Sequence, residues 1–334
     1  MREQSPKTTA PLALVIGATG SIGGAVAAAL LAHGWRVRAM NRNPVAARRD
    51  AAGLEACDWV KGDALVEADV IAAAEGATLI VHAGNPAGYS GWARLLPPMM
   101  ENVIAAAKAS GARILLPGNV YNYGPDAWPV FTETSPQNPK TRKGAIRVAL
   151  EKRLAQAARD EGVRTLVVRA GDFFGPISAS SWLTEGWVKK DKPLTTVTIP
   201  GPANIAHDWA YLPDLAETMA RLADREASLE PFAVYNHRGH VVTGEEMFQA
   251  LERVAGRKLK RQALPWFAMA MVSPVVEMLR EMLEMRYLWD NEVVMDNRKL
   301  VAELGEEPHT PLDIALRRTL EGQGCLKSPV HIPA

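Results

Sequence analysis

The sequence predicts an α/β protein in which a doubly wound parallel sheet carries helices on both faces. Two observations lead to this prediction. Short apolar runs alternate with Ala-rich helical segments from residue 12 to residue 170, and strands that alternate with helices form βαβ units. The runs are also apolar almost throughout, as in Leu12–Ile16, which is typical of strands buried on both faces.

The same alternation locates the elements and divides the chain. It ends after Arg169, because residues 171–213 are rich in Gly, Pro, Ser and Trp and show no clear period. We expect a sheet-based domain at 12–170, a smaller and mainly helical C-terminal lobe at 171–330, sheet contributions from both, and a mobile tail at 1–11. The predicted strands are Leu12–Ile16, Trp35–Met40, Cys57–Val60, Thr78–His82, Arg113–Leu116, Arg164–Arg169 and Ala233–Asn236, and the predicted helices lie near 22–33, 44–53, 65–75, 92–110, 142–161, 244–255, 265–289 and 311–321.

The composition argues against several classes of partner. The 334 residues are 48% hydrophobic and 22% charged, with a formal net charge of +1, a balance that provides no overall field for nucleic acid or an anionic membrane. Cys57 and Cys325 form no C-x-x-C pair and the seven histidines show no ligand spacing, so no metal site is expected. No apolar run reaches the ~18 residues of a membrane span. We expect a cytoplasmic protein that binds small molecules.

A glycine-rich turn joins the first predicted strand to the first predicted helix. Gly17 suits a tight turn, Gly20 lets the backbone approach a pyrophosphate, and Gly23 allows the helix to pack closely on the strand. The helix N-terminus adds N–H groups and a partial positive charge that attract phosphate. With further βα units behind it, the turn predicts a Rossmann-type fold that binds a nicotinamide dinucleotide through Gly17, Thr19, Gly20, Ser21, Ile22 and Gly23.

The residues after the second predicted strand indicate which dinucleotide is bound. NAD sites usually have an acidic residue there for the ribose 2′-OH, whereas NADP sites have an arginine for the 2′-phosphate. This chain has Asn41, Arg42 and Asn43 and no acid. Asn41 and Arg42 therefore favour NADP(H) over NAD(H), the alternative being an ordinary exposed arginine at the end of a strand.

With these motifs the chain resembles the extended branch of the short-chain dehydrogenase/reductase superfamily, the NAD(P)-dependent epimerase/dehydratase type. The resemblance covers about residues 12–325 and extends beyond the glycine turn. It implies that Asp63 and Ala64 flank the adenine, and that His82, Ala83 and Gly84 run beside the nicotinamide half of the cofactor. The other segments that carry the resemblance are Tyr123-Gly124, Arg169–Pro176 and Trp209–Ala216.

The catalytic signature of that superfamily is altered in this chain. Asn119 stands where the family has a catalytic Ser or Thr, and Lys143 and Arg147 stand where it has Tyr-x-x-x-Lys. The pattern is similar to the isoflavone-reductase and phenylcoumaran-reductase type, which uses a lysine in this place and prefers NADPH. The resemblance implies that Lys143 contacts the cofactor and polarises or protonates the substrate; the alternative is a solvated lysine at a helix start. Tyr121 or Tyr123 could supply the missing acid, or both could pack in the loop.

Aromatic residues are concentrated where the C-terminal lobe should meet the sheet. They suggest an apolar or aromatic substrate, while a core between the lobes is the alternative. The Met-rich segment 265–289 is expected to serve core or dimer packing, or to cover the substrate as a lid. The resemblance also allows a homodimer. The candidate substrate residues are Tyr89, Trp92, Asp172, Phe173, Phe174 and Trp182.

Three functions are compatible with these residues. The first is an NADP(H)-dependent reductase that acts on a small, partly apolar carbonyl or conjugated substrate, and Lys143 and the aromatic residues favour it. The second is a non-catalytic NADP(H)-binding protein with a regulatory or redox-sensing role. The third is a sugar-nucleotide epimerase or dehydratase, against which stand the missing Tyr and the missing acid after the second strand.

Overall fold

The computed structural model describes residues 10–86, 91–177 and 181–327. Most of the predicted tail at 1–11 lies outside the described residues. Tyr89 lies outside them as well. The strands are β1 Leu12–Ile16, β2 Arg36–Asn41, β3 Asp58–Lys61, β4 Leu79–His82, β5 Arg113–Pro117, β6 Val130–Phe131, β7 Thr165–Ala170, β8 Asp172–Phe174, β9 Thr196–Ile199, β10 Ala206–Tyr211, β11 Phe232–His237, β12 His240–Thr243, β13 Lys260–Ala263 and β14 Val294–Met295. The helices are α1 Ser21–Ala32, α2 Pro44–Asp50, α3 Glu67–Ala73, α4 Trp92–Ser110, α5 Arg142–Asp160, α6 Leu212–Asp224, α7 Gly244–Ala255, α8 Trp266–Val272, α9 Glu277–Glu284, α10 Arg298–Leu304 and α11 Leu312–Gly322.

Seven strands form the central sheet in the order β11-β7-β5-β4-β1-β2-β3, and every neighbouring pair is parallel. The predicted fold class, a Rossmann-type doubly wound parallel sheet, is confirmed. The strand order reverses between β1 and β4, where Ile16 is in register with Met40 on one side and with His82 on the other. Ligands of such sheets bind in the crevice at this switch point, beyond the carboxyl ends of the strands.

The sheet is buried on both faces because alternate residues of its strands point in opposite directions. In β1, Ala13 and Val15 join one apolar cluster, which includes α1 and α6 residues such as Leu30 and Met219. Leu14 and its alternate neighbours join a second cluster with α3, α4 and α5. Each face therefore has its own helical layer.

The C-terminal part of the chain contributes to both regions of the molecule. Helix α6 packs on α1, and β11 forms the edge of the central sheet beside β7. The remaining segments include the three-stranded sheet β12-β10-β8 and the pair β13-β9. They enclose a third apolar cluster that is rich in tryptophan.

Two predictions about this C-terminal part were wrong. The single helix expected at 265–289 is two helices, α8 and α9, because Pro274 in the connection has no N–H to continue the ladder. The stretch 171–213 is not irregular, since it contains β8, β9, β10 and the start of α6. These strands are three to six residues long, too short for a period to emerge against their Gly and Pro neighbours.

Arg113 connects β5 to the segment that leads into β11. Its side chain is 1% exposed. Nη1 donates to the carbonyl oxygens of Thr165 and Glu230, both at 2.8 Å, and Nε pairs with the Glu226 carboxylate. Arg164 contacts the same carboxylate from a more exposed position.

We expect Arg113→Met to lower the free energy of unfolding by about 3–5 kcal/mol, because it breaks a largely buried ion pair and leaves backbone carbonyls without donors. Arg164→Met is the matched control and should cost less than about 1 kcal/mol. Urea unfolding of both variants checks this. Equal losses would show that burial of Arg113 contributes nothing beyond the shared ion pair.

Candidate functional site

The glycine turn is packed too tightly to accept side chains. Gly17 has a φ of +93°, and a Cβ there would lie 2.7 Å from the backbone of Ala83 and Gly84. A Cβ on Gly23 would lie 2.2 Å from the carbonyl oxygen of Gly17. The turn is closed by the N–H of Gly20, which donates to Gly17 O at 2.9 Å. These glycines bring the loops after β1 and β4 together at the switch point.

The first turn of α1 opens onto this crevice. Helix α1 begins at Ser21 after Gly20, which supplies no side-chain cap, and its first turn contains no acidic residue. Thr19 and Gly20 are exposed, while Ser21 and Ile22 are half-buried. Because helix N–H groups bind phosphate, this cradle could hold the pyrophosphate of a dinucleotide, and a side chain at Gly17 or Gly23 would displace the backbone that forms it.

The carboxyl end of β2 lies next to the cradle. Asn41 Oδ1 accepts the N–H of Asn43 at 2.8 Å, and Asn43 Oδ1 caps α2 by accepting the N–H of Ala46 at 3.2 Å. The side chain of Arg42 is exposed between them. The turn is therefore held by its asparagines, and Arg42 could contact an adenosine ribose or its 2′-phosphate.

The loop after β3 is also fixed by local hydrogen bonds. Asp63 Oδ1 accepts the N–H of Leu65 at 3.0 Å, and its own N–H donates to Asp69 Oδ2 at 2.9 Å. The carbonyl oxygen of Ala64 accepts from Asn102 Nδ2 at 2.9 Å. The half-buried loop is thus held at the edge of the crevice, where it could flank an adenine ring.

His82 ends β4 beside a buried arginine. Its side chain is 3% exposed, and burial together with the charge of Arg147 lowers its pKa to about 4, so the ring is neutral at pH 7. Arg147 Nη2 donates to Asn85 Oδ1 at 3.0 Å, and the guanidinium lies 4.9 Å over the ring of Trp92. Trp92, expected to contact substrate, is buried and supports Arg147.

Lys143 lies one helical turn before Arg147, in the first turn of α5. The side chain is 2% exposed, so the alternative of a solvated lysine is wrong. Thr141 caps this helix through Oγ1, which accepts the N–H of Gly144 at 2.9 Å. A Cβ on Gly144 would lie 2.2 Å from the carbonyl oxygen of Tyr121. The start of α5 is therefore pressed against the turn that follows β5.

That turn contains two more of the candidate residues. Asn119 Oδ1 accepts the N–H of Tyr121 at 3.0 Å, which stabilises the short 3₁₀ helix Val120–Asn122. Tyr121 is half-buried, and its phenolate form would interact with the charge of Arg147. Asn119 thus shapes the turn, and Tyr121 lies near Arg147.

Tyr123 belongs to a buried polar network that sequence reasoning missed. Its hydroxyl accepts from Arg169 Nη1 at 2.8 Å, and Arg169 Nη2 donates to Glu151 Oε2 at 2.6 Å. Glu151 also accepts from Asn122 and Gln137. Tyr123 has no exposed surface, and burial raises the pKa of its phenol to about 12. This environment suits a structural tyrosine. The sequence signal for this network was the presence of Arg169 within the otherwise apolar strand β7.

Asp172 is paired with a histidine from the neighbouring strand. His207 Nε2 lies 2.8 Å from Asp172 Oδ2, and both side chains are buried. The imidazole stacks on Trp289 with ring centres 4.2 Å apart. Asp208, the sequence neighbour of His207, instead accepts the N–H of Met295 at 2.9 Å, and burial raises its pKa well above the usual range.

The other aromatic candidates contribute mainly to packing. Phe174 has no exposed surface and meets Trp209 edge-on at 6.3 Å. Trp182 is 8% exposed and lies 5.2 Å from Trp289. Phe173 is half-buried against the cluster of the central sheet. These side chains therefore pack in the core, which was the alternative to a substrate-binding surface.

Two features are missing from residues 10–86, 91–177 and 181–327. These ranges contain no group of three or more His, Cys, Asp or Glu side chains placed to hold a metal ion. Within the same ranges, no helix combines the length and the apolar character that crossing a membrane requires.

Comparisons with known proteins agree with this geometry. An uncharacterized protein of Sinorhizobium fredii is 32% identical over 198 residues, which are 53% of this chain and 54% of that protein. The chain thus spans about half the length of this curated relative. A nucleoside-diphosphate-sugar epimerase from Pseudomonas aeruginosa superposes with a TM-score of 0.70 at 18% identity, over 94% of this chain and 97% of its own. A UDP-glucuronic acid 4-epimerase from Bacillus cereus, solved in complex with NAD, gives 0.72 at 16% identity, over 95% and 100%.

The structural similarities show the fold, and a family model shows the family. The model of the NAD-dependent epimerase/dehydratase family matches residues 13–236, well over half of the chain. The resemblance inferred from the glycine turn and the later motifs is confirmed, and the chain belongs to the NAD-dependent epimerase/dehydratase family.

Proposed function

We propose that this chain is an NADP(H)-dependent oxidoreductase that acts on a small, partly apolar carbonyl or conjugated substrate. One observation carries the proposal: Lys143 and Arg147 are buried one turn apart on α5, and Arg147 lies beside His82 at the carboxyl end of β4. Two buried cations on one face of a helix create a region of positive potential, which is strong where water is excluded. This potential would stabilise a carbonyl oxygen that gains negative charge.

The proposed cofactor site spans the crevice between β1 and β4. The cradle at the start of α1 would hold the pyrophosphate, and Arg42 the 2′-phosphate of NADP(H). The NAD complex of the Bacillus cereus structure supports a dinucleotide at this position of the fold. The residues proposed to contact the cofactor are Gly17, Thr19, Gly20, Ser21, Ile22, Gly23, Asn41, Arg42, Asp63, Ala64, His82, Ala83, Gly84 and Lys143.

The proposed chemistry assigns the proton to Lys143. When bound, the reduced cofactor supplies a hydride for the substrate. Lys143 Nζ donates a hydrogen bond to the carbonyl oxygen and gives it a proton as negative charge develops there, and solvent then restores the proton. Arg147 adds positive charge one turn behind and is held in place by Asn85 and Trp92. His82 is neutral and does not compete for the substrate oxygen.

A sugar-nucleotide epimerase or dehydratase is the second candidate. The family match and the epimerases among the structural neighbours favour it. It requires a base, for which Lys143 is the available group, and a dinucleotide that is regenerated on the enzyme. Proton NMR of UDP-glucose and UDP-glucuronic acid incubated with the protein and NAD distinguishes the two: new sugar signals without net reduction of NAD would favour the epimerase.

Arg42→Ala should weaken NADPH binding by about 10–100-fold and NADH binding by less than about twofold, because only NADPH carries the phosphate that a guanidinium binds. Isothermal titration calorimetry with both cofactors measures the difference. Arg36→Ala, an equally exposed arginine at the opposite end of β2, is the control. A similar loss for both cofactors would remove the 2′-phosphate role of Arg42.

Lys143→Met should lower kcat by about 10²–10⁴-fold in NADPH-dependent reduction of aromatic enones and ketones, the range expected when a positioned proton donor is lost. Methionine keeps the buried volume, and NADPH affinity measured alongside reports whether the site is intact. Lys140→Ala, an exposed lysine just before α5, should turn over normally. Full activity of Lys143→Met would exclude a catalytic lysine, and binding without turnover in the wild type would favour a regulatory NADP(H)-binding protein.

Tyr123→Phe should leave kcat within about twofold of the wild type while lowering the free energy of unfolding by about 1–3 kcal/mol, since it removes one hydrogen bond to the charged Arg169. Steady-state kinetics and urea unfolding are measured on the same preparation. A loss of kcat above about 100-fold with unchanged stability would instead make Tyr123 the proton donor.

A further inference from the structure

Helix α8 is apolar along its whole length and is hardly buried. Its sequence is WFAMAMV, and Met269 is its only buried residue among the seven. Phe267 is 80% exposed and Met271 64%, and in the connection to α9 Val275 is 85% exposed. With Val272 and Val276, five of the large apolar side chains exposed on the described surface fall within ten residues. We call residues 266–276 the apolar hairpin.

Folding alone does not account for the apolar hairpin. A helix that is apolar on all sides is normally buried in a core or a membrane, and contiguous exposed apolar surface marks an interaction site. The hairpin is anchored at its base, where Trp266 Nε1 donates to Pro200 O at 2.5 Å and α8 packs on α9. Its apolar tip therefore projects from a fixed base and has no covering layer among the described residues.

The flanking charge indicates what covers the tip. Residues 257–286 contain six basic and three acidic side chains, which gives this segment a net charge of +3, while the whole chain has +1. Strand β13 leads into α8 and is exposed throughout. Its Lys260 and the neighbouring Lys258 are exposed. Three of the basic side chains form ion pairs at the surface with acids outside the segment: Lys258 with Glu252, Arg261 with Glu245 and Arg286 with Asp290. Such pairs are weak, so phosphate groups can compete for these basic side chains.

We propose that the apolar hairpin docks the protein on an anionic phospholipid surface. Phe267, Met271 and Val275 enter the acyl region, and the basic residues around β13 contact the headgroups, the combination that holds interfacial helices at a membrane. A second copy of the chain is the less suitable occupant. Five side chains expose about 500 Å² at most, below the ~800 Å² per partner of a standard protein interface.

The hairpin is also linked to the proposed catalytic helix. Glu284 at the end of α9 accepts the N–H of Arg142, the first residue of α5, at 2.8 Å. Lys143 is the next residue. Helix α9 therefore connects the hairpin to the start of α5.

Co-sedimentation with vesicles of phosphatidylcholine, with and without phosphatidylglycerol, tests the proposal without any cofactor, so its outcome is independent of the proposed reaction. The wild type should partition onto the anionic vesicles and be released by salt. Phe267→Ser combined with Val275→Ser should weaken partitioning by at least about tenfold. Both side chains are at least 80% exposed, so folding should be unaffected.

Val45→Ser combined with Ile314→Ser is the matched control, because these residues are 80% and 45% exposed on α2 and α11. It should partition like the wild type. Equal partitioning of the hairpin variant and the wild type, or no preference for anionic vesicles, overturns the proposal. Sedimentation velocity supplies the remaining outcome: a dimer that the hairpin variant loses, without vesicle binding, would assign the patch to a second copy.

Discussion

The placement of the candidate site depends on one buried ion pair, Arg169 with Glu151. Arg169 lies in β7 and Glu151 in α5, and both side chains are nearly inaccessible to solvent. Lys143, Arg147 and Glu151 follow one another at intervals of four residues, so they share one face of α5. Glu151 is held by Arg169, Asn122 and Gln137, and these contacts oppose rotation of α5 about its own axis. The pair therefore fixes which groups α5 directs toward the end of β4.

The same pair lowers the free-energy cost of burying further positive charge nearby. An isolated cation in a protein interior is costly, whereas one with an anion and polar contacts nearby is tolerated. Burial lowers the pKa of Arg147, while the carboxylate of Glu151 acts in the opposite direction, and Asn85 and Trp92 supply a hydrogen bond and a ring face. Lys143 lies one turn earlier on the same face of α5 and is also buried.

Local patterns predicted the sheet and the glycine turn because both are encoded within a few residues. Each apolar run indicates by itself that its strand is buried. A side chain at Gly17 or Gly23 would clash with backbone that lies a few positions away or directly after the adjacent strand. The Arg169–Glu151 pair and the Asp172–His207 pair were not predictable in this way, since their partners are 18 and 35 residues apart and meet only through tertiary packing. For the same reason Tyr123 could not be recognised in advance as a partner of Arg169.

The structure also changes the reason for expecting an apolar substrate. From sequence it depended on aromatic residues expected where the C-terminal lobe meets the sheet, yet Phe174 and Trp182 fill the core of that lobe. Core aromatics stabilise the lobe but offer a ligand no surface. The largest group of exposed apolar side chains on the described residues lies on α8 and the connection to α9, and α9 is joined to the start of α5 through Glu284. A preference for apolar substrates would therefore have to come from exposed surface such as this and not from the aromatic residues of the core.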